Sequence, residues 1–321
     1  MKVIITGGAG FLGQFLLTEL LKNIPPPDTQ CLPRKIEQII VLDQVRGSLN
    51  DPRVHYVVGD VGDASLLSRL FDASVGGVFH LAAAVSGTAE SDFDLGMRVN
   101  LVGTEALLEA CRALPKPAKL LFASSVAVFG GTLPSVVTDE TPTTPQTSYG
   151  VQKRIGELLL GEYSRKGFVD GRCVRVPTVS VRPGRPNGAA SSFASGIIRE
   201  PLAGLQAICP VEPDTPLWIS SPRQVIASFL RAYDLPASAW SMQRSVNLPG
   251  ITVRVRDMVE ALGRIAGPAA PNLVHWQPDP RIKTIVQSWP SRFDTVRADA
   301  MGFGRDTSVD TIIQDYVRTY T

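Results

Sequence analysis

The octapeptide Thr6-Gly7-Gly8-Ala9-Gly10-Phe11-Leu12-Gly13 constrains this chain more than any other stretch. It follows a β-branched run at residues 3–6 and opens residues 11–21, where apolar side chains recur at helical spacing. In such a unit a first glycine permits a tight turn, a second lets backbone approach a pyrophosphate, and a third allows close helix–sheet packing. Gly7, Gly10 and Gly13 hold those places. The free N–H groups and positive dipole end of the helix suit the anion. The strand and helix on either side set this pattern apart from an ordinary glycine-rich turn.

The first half of the chain continues in the same rhythm. Residues 38–43, 55–58, 77–82, 119–124 and 172–177 read as strands, and 93–114 and 149–165 as long helices. This alternation predicts an α/β fold, a Rossmann-type doubly wound parallel sheet. Pro25, Pro26 and Pro27 end the first helix and open a loop to about Arg34. After Pro183 the chain turns rich in Pro, Gly and Ser. Residues 217–233 read as a strand and helix that rejoin the first lobe, and 254–266 and 311–320 as helices. The expected organisation is a nucleotide-binding lobe of 1–182, rejoined by 217–246. A smaller substrate-binding lobe takes 183–216 and 247–321, with the cleft between the two.

Asp43 ends the second strand. A carboxylate there accepts hydrogen bonds from both ribose hydroxyls of an adenosine and repels a 2′-phosphate, which favours NAD over NADP. Arg46 is near enough to argue the other way, and a bare strand-end turn residue is the simpler role for Asp43. Asp60 and Val61 follow the third strand, where an acidic side chain reaches an adenine edge and the next N–H pairs with a ring nitrogen. Leu81, Ala82 and Ala83 end the fourth strand, where the small residues suit a backbone lying against a cofactor. His80 beside them reads as a satisfied core histidine rather than a base.

Tyr149 and Lys153 stand at i and i+4, on one face of a helix. A phenol with a pKa near 10 is a poor base at neutral pH. A lysine cation and a positive nicotinamide ring both favour the phenolate, which can then take the proton of an alcohol while its carbon delivers hydride to NAD. The serine pair Ser124-Ser125 ends the fifth strand, where a hydroxyl can hold the substrate oxygen. Taken alone, a Tyr–Lys pair on a surface helix is common. Together with the glycine turn and the strand order it points to hydride chemistry.

Composition narrows the field further. Lys plus Arg number 32 against 30 Asp plus Glu, a net charge of +2, and the basic residues are scattered, so no nucleic-acid partner is expected. Cys31, Cys111, Cys173 and Cys209 show neither paired nor metal-ligand spacing. They read as reduced thiols, in keeping with a cytoplasmic protein, and no metal is expected. The apolar run at the amino terminus is too short for a signal peptide, and none approaches the about 20 residues of a membrane helix.

The motifs TGGAGFLG (6–13), GDVGD (59–63), HLAA (80–83), NLVGT (100–104), SSVAVFG (124–130) and YGVQK (149–153) resemble those of the extended short-chain dehydrogenases/reductases of the NAD-dependent epimerase/dehydratase family. The resemblance covers essentially the whole chain. It implies NAD contacts from Gly7, Gly10, Phe11, Leu12, Gly13, Asp43, Asp60, Val61, Leu81, Ala82 and Ala83. Asn100, Tyr149, Lys153, Pro177 and Val179 complete that set. It also implies a catalytic trio of Ser125, Tyr149 and Lys153, and a homodimer built through the two long helices. Phe129 stands where the family usually has tyrosine, which removes a hydroxyl outside the trio.

Within the family, residues 177–202 are similar to those of D-erythronate dehydrogenases, which oxidise the 2-hydroxyl of a four-carbon sugar acid. Such a substrate calls for a fork-shaped cation for its carboxylate and neutral donors for its hydroxyls. Arg182, Arg185 and Arg223 are candidates for the first task. Ser86, Thr178, Asn187 and Ser192 are candidates for the second, beside Ser125 and Tyr149. Solvated arginines paired with local acids are the plainer reading. Two other functions stay open: a nucleotide-sugar 4-epimerase, and a non-catalytic NAD-sensing regulator, although the latter can lose the Tyr–Lys pair retained here.

Overall fold

A computed structural model describes residues 1–22, 36–186 and 188–321. The expected proline loop up to about Arg34, with Cys31, and the candidate Asn187 lie outside the described residues. Twelve strands are present among the described residues: β1 (Lys2–Thr6), β2 (Gln38–Asp43), β3 (Val54–Val58), β4 (Val75–His80), β5 (Lys119–Ser125) and β6 (Asp170–Val176), then β7 (Thr178–Val179), β8 (Ala207–Cys209), β9 (Pro216–Ser220), β10 (Ser245–Asn247), β11 (Ile251–Arg254) and β12 (Val274–Trp276).

Seven of them form one sheet in the order β10-β6-β5-β4-β1-β2-β3, with every pairing parallel. The order reverses between β1 and β4, and ligands of such sheets bind in the crevice beyond the strand ends at that point. Both faces are covered, so the strands are apolar throughout rather than alternating. Val3, Ile5, Ile39, Val41, Phe79 and Leu121 pack with helices Phe11–Leu21 and Pro222–Asp234 on one face. Ile4, Ile40, Val78, Leu120 and Phe122 turn to helices Ala64–Leu70, Gly103–Arg112 and Ser148–Arg165 on the other.

Two expectations are refined. The helix read over 93–114 runs without interruption from Phe93 to Arg112 but is not uniform: Phe93–Gly96 and Gly103–Arg112 flank a π-helical stretch at Met97–Val102. Within the widened turn, the Asn100 amide pairs with the Ala84 N–H at 2.8 Å and the Ala84 carbonyl at 3.0 Å. The strand inside 217–233 does not join the main sheet either. As β9 it lies between β7 and β11 in a separate three-stranded sheet, and only the helix after it packs on the larger one. That small sheet, helices Phe193–Leu202, Val255–Ala266 and Val309–Tyr320, and the β8–β12 pair share a second core around Ile197, Leu217, Met258 and Ile312. Among the described residues no helix is long and apolar enough to cross a membrane.

Candidate active site

A cavity of about 660 Å³ opens at the carboxyl ends of the parallel strands. Gly7, Gly10, Phe11, Leu12 and Gly13 line one end of it. Gly7 has a φ of +70°, and a Cβ there would stand 2.6 Å from the Ala82 amide nitrogen. A Cβ on Gly13 would stand 2.6 Å from the Gly7 carbonyl oxygen, so the helix can press onto the turn only without one. Gly10 precedes the helix and offers no side-chain cap, leaving the first N–H groups to the cavity. A cradle emptied of side chains before an uncapped helix end fits a pyrophosphate.

Asp43 lines the same wall, its Oδ2 accepting from the Ala9 N–H at 2.9 Å and its Oδ1 from the Gln44 N–H at 2.7 Å. Each oxygen keeps further lone-pair capacity for a ribose hydroxyl. Asp60 and Val61 line it too, with Asp60 Oδ1 turned back onto the Gly62 N–H at 2.8 Å. Leu81, Ala82 and Ala83 form the floor, and the Leu81 N–H is tied to the Thr6 carbonyl at 3.0 Å. His80 beneath them is wholly buried between the hydroxyls of Thr6 at 2.6 Å and Thr104 at 2.9 Å. Burial, helped by the Lys153 charge, pulls it down to about 3, so it is neutral. Asn100 is not among the lining residues. Its amide is spent on Ala84 and on Gln152 Oε1 at 2.7 Å, so it shapes the floor rather than facing the cavity.

Ser125, Tyr149 and Lys153 meet where β5 ends and helix Ser148–Arg165 begins. Thr147 caps that helix through the Gly150 N–H, which fixes its entry beside Ser125. Burial pushes the Tyr149 phenol up to about 12, opposed by a hydrogen bond from Ser125 and by the Arg182 charge. Lys153 is 2% exposed, and burial draws it down to about 8, opposed by Cys173 and Glu157. Its Nζ lies 4.7 Å from the Phe122 ring centroid and 5.7 Å from that of Tyr149. Ser125 and Arg182, more than Lys153, are thus the groups that favour the phenolate before cofactor binds.

Pro177, Thr178 and Val179 run along the cavity toward Arg182, Arg185 and Ser192, which also line it. Ser86 lines it from the opposite side, its Oγ accepting from the Ala190 N–H at 3.1 Å. The Arg182 guanidinium is half-buried, and its pKa is lowered first by burial, then by the like charge of Arg199. No carboxylate among the described residues pairs with it. Arg223 is elsewhere: its side chain is 66% exposed, paired with Asp315 at 2.8 Å, and does not line the cavity. It sits in the first turn of helix Pro222–Asp234, and its ion pair reaches Asp315 on helix Val309–Tyr320.

Arg199, Trp289 and Thr88 line the cavity and went unnoticed in the sequence. Arg199 Nη1 donates to the Arg182 carbonyl at 2.8 Å and Nη2 to Glu200 Oε1 at 2.6 Å. Trp289 arrives from a distant segment, and no local pattern marks it. Among the described residues no cluster of His, Cys, Asp and Glu could hold a metal.

The NAD dependent epimerase/dehydratase family matches residues 3–218. A D-erythronate dehydrogenase of Cupriavidus necator is 52% identical over 99% of this chain and 98% of its own length. One of Haemophilus influenzae is 43% identical, covering 99% of each. A solved nucleoside-diphosphate-sugar epimerase of Agrobacterium tumefaciens superposes with a TM-score of 0.90 at 35% identity, over 100% of this chain and 94% of that one. Cradle, strand-end carboxylate and sequence agree: the chain belongs to the NAD-dependent epimerase/dehydratase family and takes NAD as its cofactor.

Proposed function

We propose that this protein oxidises the 2-hydroxyl of D-erythronate, or of a closely similar four-carbon sugar acid, to the 2-oxo acid. The observation that carries the reading is Arg182, a half-buried guanidinium without a carboxylate partner among the described residues, close enough to Tyr149 for its charge to act on the phenol. A small hydroxy acid held there by its carboxylate brings its hydroxyl to Ser125 and Tyr149. The two relatives named D-erythronate dehydrogenase support the choice of acid.

Gly7, Gly10, Gly13 and Asp43 would hold NAD at one end, and Lys153 its nearer ribose. Bound NAD supplies the hydride acceptor and a positive ring that favours the phenolate. Ser125 donates to the substrate oxygen and orients it, Tyr149 takes the hydroxyl proton, and Lys153 stays charged beside it. Ser86, Thr178 and Ser192 supply hydrogen bonds to the remaining hydroxyls. The test is to offer NAD and a panel of four-carbon sugar acids and follow NADH. Tyr149→Phe is expected to lower kcat by about 10²–10⁴, and absence of turnover with every acid removes the reading.

A nucleotide-sugar 4-epimerase is the second reading, supported by the solved epimerase relative. Tight binding of a uridine diphosphate sugar without net NADH would favour it. We also propose a homodimer through the long helices, where Val102, Val151 and Leu158 are exposed. Light scattering that gives a monomer removes that proposal.

A further inference from the structure

One turn beyond Lys153 on the same helix stands Glu157, whose side chain has 0% exposure and does not line the cavity. Four donors converge on its two oxygens. Oε1 accepts from Ser124 Oγ at 2.6 Å and Arg175 Nε at 2.9 Å. Oε2 accepts from Arg175 Nη2 at 2.8 Å and Arg154 Nη1 at 3.0 Å. Arg175 lies 5.0 Å from the Phe129 ring centroid and reaches Asn247 Oδ1 on β10 at 3.3 Å. Asn247 in turn donates to Asp139 Oδ1 at 3.2 Å.

A buried ion pair is poor evidence for stability by itself, because desolvation offsets the attraction. Two placements point past packing. Ser124 immediately precedes Ser125, whose hydroxyl favours the Tyr149 phenolate. Lys153 precedes Glu157 by four residues, so ammonium and carboxylate share one helix face. We propose that Glu157 is a positioning residue for the reaction: one buried carboxylate fixes the Ser124–Ser125 strand end and keeps the Lys153 ammonium charged beside Tyr149.

The surroundings leave Glu157 as the anion that does this. Lys153 is faced by His80 from β4, the Phe122 ring from β5, Cys173 from β6, and Tyr149 and Glu157 from its own helix. Burial keeps His80 and the Cys173 thiol neutral, and Tyr149 is a phenol near neutral pH. Glu157 is ionised: burial works against its charge, but Arg175, Ser124 and Arg154 hold its pKa below the ordinary value. With the carboxylate gone, less opposes the burial of Lys153, and the ammonium gives up its proton at lower pH.

The inference rests on the reading of Ser125, Tyr149 and Lys153 as the reacting trio, and not on the identity of the acid. The test compares the protein with Glu157→Gln, which keeps the shape and removes the charge. Thermal melts without ligand between about pH 6.5 and 9.5 form the first arm. The destabilisation caused by the substitution should shrink as pH rises through about 8, where Lys153 becomes neutral and the carboxylate loses that partner. The alkaline limb of kcat/KM with NAD and D-erythronate forms the second arm, and it should move about one pH unit lower. Should the unpaired Arg175 unfold the variant, Glu157→Gln/Arg175→Gln is compared with Arg175→Gln alone. A destabilisation independent of pH together with an unmoved alkaline limb overturns the proposal. Failure of the unaltered protein to reduce NAD with D-erythronate removes the substrate reading, while the ligand-free arm still decides this one.

Discussion

The carboxylate of Asp43 accepts a hydrogen bond from the Ala9 amide at 2.9 Å, so the end of β2 braces the glycine turn at the end of β1. One side chain thereby shapes the pyrophosphate cradle and faces the place of the adenosine ribose. Asp43→Asn replaces one acceptor oxygen with a donor and removes the charge that repels a 2′-phosphate. NADH affinity should fall on the order of tenfold, a loss typical of one hydrogen bond to a charged group. The preference for NADH over NADPH should narrow at the same time. Fluorescence titration with both nucleotides checks this, and an unchanged ratio counts against Asp43 as the selecting residue.

Gly7→Ala meets two obstacles, a left-handed backbone and the Ala82 amide 2.6 Å away. The left-handed conformation alone costs a non-glycine residue about 1–2 kcal/mol, so the variant should lose at least that much in denaturant unfolding and bind NADH poorly. Gly161 provides the contrast, because nothing lies within 4 Å of where its Cβ would be. Gly161→Ala in the same assay should stabilise by about 0.5–1 kcal/mol through helix propensity.

His80 contributes to acid sensitivity with a defined sign. Its pKa is depressed in the fold to about 3 from 6.5, so between those values the unfolded chain binds the extra proton. Stability from this group is fully present above pH 6.5 and is lost as pH falls toward 3. His80→Asn should flatten the decline of Tm with falling pH across that window, measured by calorimetry. An identical slope in the variant would assign the acid sensitivity to other groups.

Arg182 and Arg223 give opposite expectations although both are arginines in the same half of the chain. Arg182→Ala should lower kcat/KM for the sugar acid by about 10–100-fold, the scale of a lost charge-assisted hydrogen bond, and leave NADH binding intact. Arg223→Ala removes an exposed ion pair with Asp315 and should leave both unchanged. Steady-state kinetics on the two variants decide between them.

Much of the sheet was legible because its signals are local. Gln38–Asp43 is bounded as its apolar run implied, and Tyr149 and Lys153 share a helix face because four residues make about one turn. The π turn at Met97–Val102 was not legible, since it exists to bring Asn100 to Ala84 across the chain. Nor could spacing say which way a charged residue faces: Arg199 looks into the cavity and Arg223 away from it. Trp289 reaches the cavity and Glu157 meets Arg175 only after distant segments have packed.

One residue, Pro177, separates β6 of the large sheet from β7 of the small one, and it lines the cavity. The two ends of the site are therefore spliced in series on a single polypeptide, nucleotide floor upstream and Arg182 a few residues downstream. Chemistry on such a scaffold is inherited with the first stretch, while what it acts upon can drift in the second.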